Sequence, residues 1–549
     1  MRVPARGAAG ASGDRLAWAL VGAVALVTFT AVASGGRVPG VDLPQHALAL
    51  RRWLDDTPTD AWALRWSAPY GAFYALAWAF TALGADPARG TWLAFACALA
   101  ALPLASGWLA RAHGASPAFG VLALLGAFGP VTAWGFGSLL LGAGVAAGAL
   151  GLARWHADRP RVGSGAALAI AVVLTYASHL FAWGLLLPFA ALTLGTGRGS
   201  VARRVGPLAL GAAVTGALAW WWSSGLVLSD FARREIETMR RVADPSAGER
   251  LAAVGDALAS YGRAGALLPA QLGLVLVMGV ALALVLRSRT RAWSRLHRLA
   301  RRKGDPTHGA SAPAERARRG PLVATLHRAT VPVLAATCAI AYLALPIVVN
   351  GVYLVYPRVL PFLGVALPAC LRAPGSRALR GLARFAVVPA LAVALAAHGE
   401  TRWWDAETRC IDHLGAHVGR DPRLVPLDFD PRHGSLPAPL HLHLGAELVA
   451  RHGGQVAFDF ADFGAGVLVY APGWRREVLP SREFEPGRYQ HAEHGRGFDT
   501  WLVRAPRGLE ERLLPEPGLE AHPCGQWTLY VRPRGPLGES AYLPHRGGS

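Results

Sequence analysis

Apolar residues in this chain gather in long runs rather than alternating with polar ones, and the runs recur from residue 16 to residue 397. A helix needs about 20 consecutive apolar residues to cross a bilayer. Runs near 16–34, 92–110, 117–133, 137–153, 164–180, 183–197, 206–223, 264–287, 329–349, 358–372 and 385–398 predict about eleven transmembrane helices, several of them short. The run at 73–84 has about 12 residues, a length that suits a helix lying in the interface. The first run follows Arg2, Arg6 and Arg15 and ends near Ala31-Val32-Ala33, which also fits a signal peptide. The polytopic chain behind it favours an uncleaved first span.

The pattern changes after residue 398. The tail is charged, rich in Pro and Gly, and holds only short apolar runs. β-branched and aromatic content predicts strands at 455–460, 466–470 and 527–531, and a short helix is expected at 440–450. The chain therefore divides into a transmembrane region, 1–398, with a first outer loop at 35–91, and a domain at 399–549 of α/β or α+β class. At about 150 residues the second part is of ordinary domain size.

Composition sharpens this picture. Hydrophobic residues make up 53% of the 549 residues and charged ones 16%, against about 25% charged in soluble domains. The formal charge of +20 raises the question of nucleic acid. Its distribution argues against that partner, because the cations sit between apolar runs and form no single basic face. Lys303 is the only lysine, so the charge is almost wholly arginine.

Loop charge sets the expected orientation. With the N-terminus cytoplasmic, the inner loops hold Arg111; Arg154, Arg159 and Arg161; Arg198, Arg203 and Arg204; the basic run 288–328; and Arg372, Arg377, Arg380 and Arg384. The outer loops 35–91 and 224–263 are balanced in sign. Counting 73–84 as a full span would put the 154–161 and 288–328 clusters outside, against the positive-inside rule. The expectation is a multi-pass protein of the cell inner membrane with its C-terminal domain extracytoplasmic. Of the 5 cysteines, Cys410 and Cys524 lie in that domain, where an oxidising compartment permits a disulfide; Cys97, Cys338 and Cys370 fall in or beside spans.

The first outer loop carries the densest chemistry. In Asp42-Leu43-Pro44-Gln45-His46, Asp42 fits an N-cap and Pro44 a first helical turn. Equally, a helix from residue 44 puts Asp42 and His46 about one turn apart, able to converge on one ligand. A carboxylate there serves as a general base or holds a divalent metal ion, and an imidazole moves a proton or binds phosphate. His179 sits at a turn between two spans, and the break Trp134-Gly135-Phe136-Gly137 lies on the same side. Arg358, after Tyr356-Pro357, is either an interfacial anchor or a phosphate ligand. The histidines of the tail, with His441-Leu442-His443 among them, lack zinc-type spacing and read as solvated surface residues. Walker, dinucleotide and serine-hydrolase motifs are missing from the sequence.

In order along the chain, Asp42, Pro69, Gly84 and Arg89, followed by Arg111-Ala112-His113-Gly114 and Pro130, resemble the GT-C superfamily of polytopic glycosyltransferases. The Asp-Leu-Pro-Gln-His setting is similar to a divergent subgroup, and the likeness covers about residues 16–400. Many members carry adjacent acidic residues in the first loop, whereas Asp42 stands alone. The resemblance implies a GT-C-like helical fold and transfer of a sugar from a polyprenyl-phosphate donor to an envelope glycan or lipid acceptor, on the outer side of the membrane. For that chemistry the catalytic candidates are Asp42 and His46, and the substrate-binding candidates are Arg358, His179, Arg89 and Tyr356. A transporter or flippase of a lipid-linked saccharide, and a non-catalytic envelope scaffold, are the competing functions.

Overall fold

The computed structural model describes residues 8–54, 62–197, 199–225, 233, 236–237, 243–258, 260–263, 265–302, 321–349, 352–372, 376–430, 436, 438–464, 466–471, 483, 485–495, 497–505, 514 and 516–533. The basic residues 303–319 and Arg198 lie outside them.

Among the described residues, six helices are long and apolar enough to cross a membrane: Asp14–Ala33, Pro87–Ala112, Gly137–Asp158, Val201–Ser224, Leu268–Thr290 and the stretch Arg377–Gly415. Shorter apolar helices occupy Pro117–Ala127, Val162–Ser178, Leu180–Gly195 and Ala329–Ala344, and another runs over Leu360–Cys370. The segment predicted as one span at 117–133 is instead a 3-10 helix followed by two single turns, Leu124–Ala127 and Pro130–Ala133. Pro130 cannot donate to the preceding turn, and Gly129 lies extended, so the helix stops there. Close packing holds the broken segment in place. A Cβ on Gly120 would collide with the Pro103 carbonyl, so the two backbones touch.

The first loop forms the elements that position the site. Helix α1 (Ala8–Ala33) leads into α2 (Leu43–Leu54), whose buried residues include Leu43, Ala47, Leu48 and Leu50. That spacing gives one apolar face, and the face packs on the next long helix and on Leu444–His452 of the tail. Strand β1 (Trp62–Leu64) follows, then α3 (Gly71–Ala82), the segment expected to lie in the interface. Gly84, at φ +102°, takes the left-handed conformation just past its end. Helix α4 (Pro87–Ala112) starts on Asp86, whose carboxylate accepts from the Arg89 amide at 3.0 Å, with Pro87 in its first turn.

A two-stranded hairpin, β2 (Val348–Val349) with β3 (Val352–Tyr353), precedes Arg358. The last long helix then runs without interruption through Val387–Glu407, across the boundary expected at residue 398. Beyond it lie β4 (Arg423–Asp428), β5 (Gln455–Val456), β6 (Leu468–Tyr470), β7 (Thr500–Arg504), β8 (Glu520–Cys524) and β9 (Trp527–Val531). A five-stranded mixed sheet has the order β5-β4-β7-β9-β8, with β4 parallel to β5 and β7 and the remaining pairs antiparallel. The helix expected at 440–450 begins later, at Leu444. Cys410 and Cys524 form a disulfide, tying the end of the helical region to strand β8.

The tail is fastened to the first loop. β6 pairs antiparallel with β1 of that loop, Trp62 opposite Tyr470. Gln45 donates to the Phe458 carbonyl at 3.0 Å, and Arg52 pairs with Asp459. Arg37, 2% exposed, meets Glu447 at 2.9 Å and Asp412 at 2.6 Å.

Candidate active site

Asp42 lies at the start of α2, and its position is set by the break between two helices. Its amide donates to the Trp134 carbonyl at 3.0 Å and that of Val41 to Ala133, also at 3.0 Å. Gly135 makes this approach possible: its φ is +77°, and a Cβ would stand 3.1 Å from the Leu43 nitrogen. The Asp42 backbone carbonyl in turn accepts from the His46 amide at 3.1 Å, closing the first turn of the helix.

The Asp42 side chain faces the tail. Oδ1 is 3.8 Å from Nε2 of His443, and the Asp42 side chain keeps 14% of its surface open. His443 is buried, stacked on Phe458 with ring centres 4.9 Å apart, and its Nδ1 lies 3.1 Å from Oε2 of buried Glu483. Burial raises the Asp42 carboxyl to about 6, against the opposing pull of His443 and Arg358; Glu483 adds to the rise. Burial works against a charged His443, yet the Glu483 and Asp42 carboxylates outweigh it and lift the imidazole above its usual value. Glu483 is itself raised, first by burial.

His46 does not converge on Asp42's ligand side. Its Nδ1 is 2.7 Å from the Tyr74 hydroxyl, and the rings of Phe73, Tyr74 and Phe460 stand edge-on around it. Burial, reinforced by nearby His443, lowers it to about 4, so it is neutral at physiological pH. The structure pairs Asp42 with His443 instead.

Arg358 sits in a short 3-10 turn (Tyr356–Val359) ahead of Leu360–Cys370, its guanidinium 4.3 Å above the Phe136 ring. It is close enough to Asp42, Tyr70 and His179 to act electrostatically on all three. His179 interrupts two helices, accepts from the Phe181 amide through Nδ1 at 3.1 Å, and meets the Tyr70 ring edge-on at 5.2 Å. Asp42, Arg358 and His179 therefore belong to one neighbourhood, with Tyr70 and Phe136.

Arg89 and Tyr356 have other partners. Arg89 hydrogen-bonds the carbonyls of Ala33 and Gly35, capping the end of α1 beside an open cleft of 540 Å³ that Arg37, Asp86 and Trp92 also line. Tyr356 packs edge-on against Tyr342 and beneath Arg250.

Three of the tail histidines depart from the surface reading: His441, His443 and His494 are buried, whereas His413 and His417 are exposed as expected. His441 packs on Trp404 and lies 3.5 Å from Glu407, so it and His443 serve different partners. Among the described residues, no three His, Cys, Asp or Glu side chains are grouped to hold a metal ion. Residue spacing could not reveal His443 or Glu483, which lie about 400 residues from Asp42 in sequence. The one available signal was the run of carboxylate and imidazole side chains in the tail.

No protein-family model matches the chain, and no curated protein matches it closely enough to count as a relative. Among solved structures the chain is similar to ArnT from Cupriavidus metallidurans in the apo state, with TM-score 0.55 and 12% identity over 95% of this chain and 98% of that one. It is also similar to ArnT bound to undecaprenyl phosphate, with TM-score 0.54 and 13% identity over 93% and 97%. Arabinofuranosyltransferase AftD from Mycobacteria aligns with 95% of this chain and 40% of its own at TM-score 0.47, too slight a likeness to carry weight. At these identities the likeness to ArnT is one of fold, and it extends over nearly the whole of both chains.

Proposed function

We propose that this protein is a GT-C-type membrane glycosyltransferase, moving a sugar from a polyprenyl-phosphate donor to a cell-envelope acceptor on the outer side of the inner membrane. The observation that carries the reading is the neighbourhood of Asp42: a partly open carboxylate raised to about 6 beside an arginine, in a fold shared end to end with a protein solved with undecaprenyl phosphate bound.

The chemistry asks for those two groups. Asp42 takes the proton from the acceptor hydroxyl as its oxygen forms a bond to the anomeric carbon. The bond from that carbon to the phosphate oxygen breaks, and its electron pair leaves with the polyprenyl phosphate. Arg358 meets the phosphate, staying charged and offering paired N–H donors. Tyr70 and His179 stand beside it, where sugar hydroxyls pass. His46 holds Tyr74 and does not titrate in the working range.

The short helices complete the membrane region: 17 residues of Val162–Ser178 reach about 25 Å, close to the hydrocarbon thickness. Counting the broken segment at 117–133 and the short helix Leu360–Cys370 as crossings brings the total to about eleven; with the loop charges this makes residues 399–549 extracytoplasmic, a compartment that the Cys410–Cys524 disulfide fits. The test is turnover by the purified protein in lipid, offered a panel of polyprenyl-phosphate sugars. Release of free polyprenyl phosphate with at least one donor is expected. Donor carried across a vesicle wall with its sugar–phosphate bond intact would replace this reading with a transporter.

A further inference from the structure

We infer that His443, backed by Glu483, is the positioning residue for Asp42: an imidazolium supplied by the tail that holds the first-loop carboxylate in its ionised, base-competent form. The inference rests on the reading of Asp42 as general base and adds to it the group that makes such a base workable. A carboxylate enclosed by protein favours its neutral form, which cannot accept a proton. A cation 3.8 Å away opposes that tendency.

The geometry is directional. Glu483 Oε2 stands 3.1 Å from Nδ1, on the far side of the ring from the Nε2 that faces Asp42. One carboxylate thus stands at ion-pair distance from one nitrogen while the other nitrogen faces the base. Phe458, stacked parallel at 8° to the ring, and Phe460, edge-on, fix the ring plane. The loop bearing Phe458 is itself anchored to α2 by the Gln45 amide and by the Arg52–Asp459 pair. The imidazole is therefore locked to the same helix that begins at Asp42. The other charged and titratable groups facing this pair are Arg358 near Asp42, His46 and Tyr74 on the α2–α3 side, and Asp428 near Glu483.

The step balances without a further co-reactant. The hydroxyl proton ends on Asp42, the new bond joins acceptor oxygen to sugar, and the phosphate leaves with the electron pair. His443 keeps its proton throughout, and Asp42 returns its own to water when the products leave.

Two measurements on the full-length protein in lipid test the inference. In His443→Gln, the acid limb of kcat/KM should move up by about one pH unit, so that kcat/KM falls about fivefold at pH 6 and only about twofold at pH 7, because the opposing cation is gone. In His443→Gly, added imidazole should restore the limb toward its original position. A folded His443→Gln protein that retains the original acid limb would overturn the inference, whatever its kcat. If the substitutions prevent folding, coupling is read from the other side. Histidine NMR on Asp42→Asn should show His443 titrating about one unit lower than in the unaltered protein, since linkage is reciprocal. An unmoved His443 would overturn the inference. This second measurement needs no turnover, so failure of the transferase reading and failure of the Asp42–His443 coupling give different results.

Discussion

At the level of the residue, Asp42 joins reactivity to instability. Its carboxyl is raised to about 6, above an unfolded value of about 3.9. The folded state thus binds the proton more tightly than the unfolded one. Ionised Asp42 costs folding stability, an effect absent below pH ~4 and fully present above pH ~6. Asp42→Asn, which mimics the neutral acid, should raise the melting temperature at pH 7.5, with the gain shrinking as pH falls below 6, checked by thermal unfolding in detergent. In the unaltered protein, activity should rise through about pH 6 as the base ionises. Arg358→Gln should raise KM for the lipid donor more than it lowers kcat, since the guanidinium serves binding of the phosphate as well as its departure. The sequence singles out Asp42 and Arg358 by their settings, Asp-Leu-Pro-Gln-His and Tyr-Pro-Arg beside apolar runs, and the structure brings the two near each other. Arg89 and Tyr356 stand beside apolar runs too, but a helix C-terminus and an aromatic cluster use them, which residue type alone does not reveal.

At the level of the element, the break at Gly129–Pro130 and the turn at Gly135 hold the base. Gly135→Ala meets both a left-handed backbone and the Leu43 amide. It should cost about 1–2 kcal/mol and displace Asp42, so activity should fall further than the melting temperature alone explains. The long helices and the short α3 were readable from run length. The span expected at 117–133 was not, because Gly-Pro inside an apolar run stops a helix without altering hydropathy. Strand β9 emerged from its aromatic and β-branched residues. β8, Glu-Ala-His-Pro-Cys, carries almost none of that signal and owes its place to pairing with β9 and to the disulfide.

For the whole molecule, the first loop and the tail act as one unit. Arg37 and Glu447, both nearly fully buried, join them. Removing one partner of such a pair strands the other charge, so Arg37→Met should lower stability by about 3 kcal/mol or more and loosen the β1–β6 pairing, seen as faster amide exchange at 62–64. This union was invisible in the sequence because it joins residues 410 positions apart, with most of the helical region between them. The sequence also carries an expected sidedness, since the cations alternate with the predicted spans. The central claim is that Asp42 is the base of a sugar transfer, and the most direct measurement compares polyprenyl-phosphate release by the unaltered protein and by Asp42→Asn in the same lipid. The account predicts a folded variant whose kcat is lower by about 10²-fold or more; a folded variant that turns over within a few-fold of the unaltered protein would contradict it.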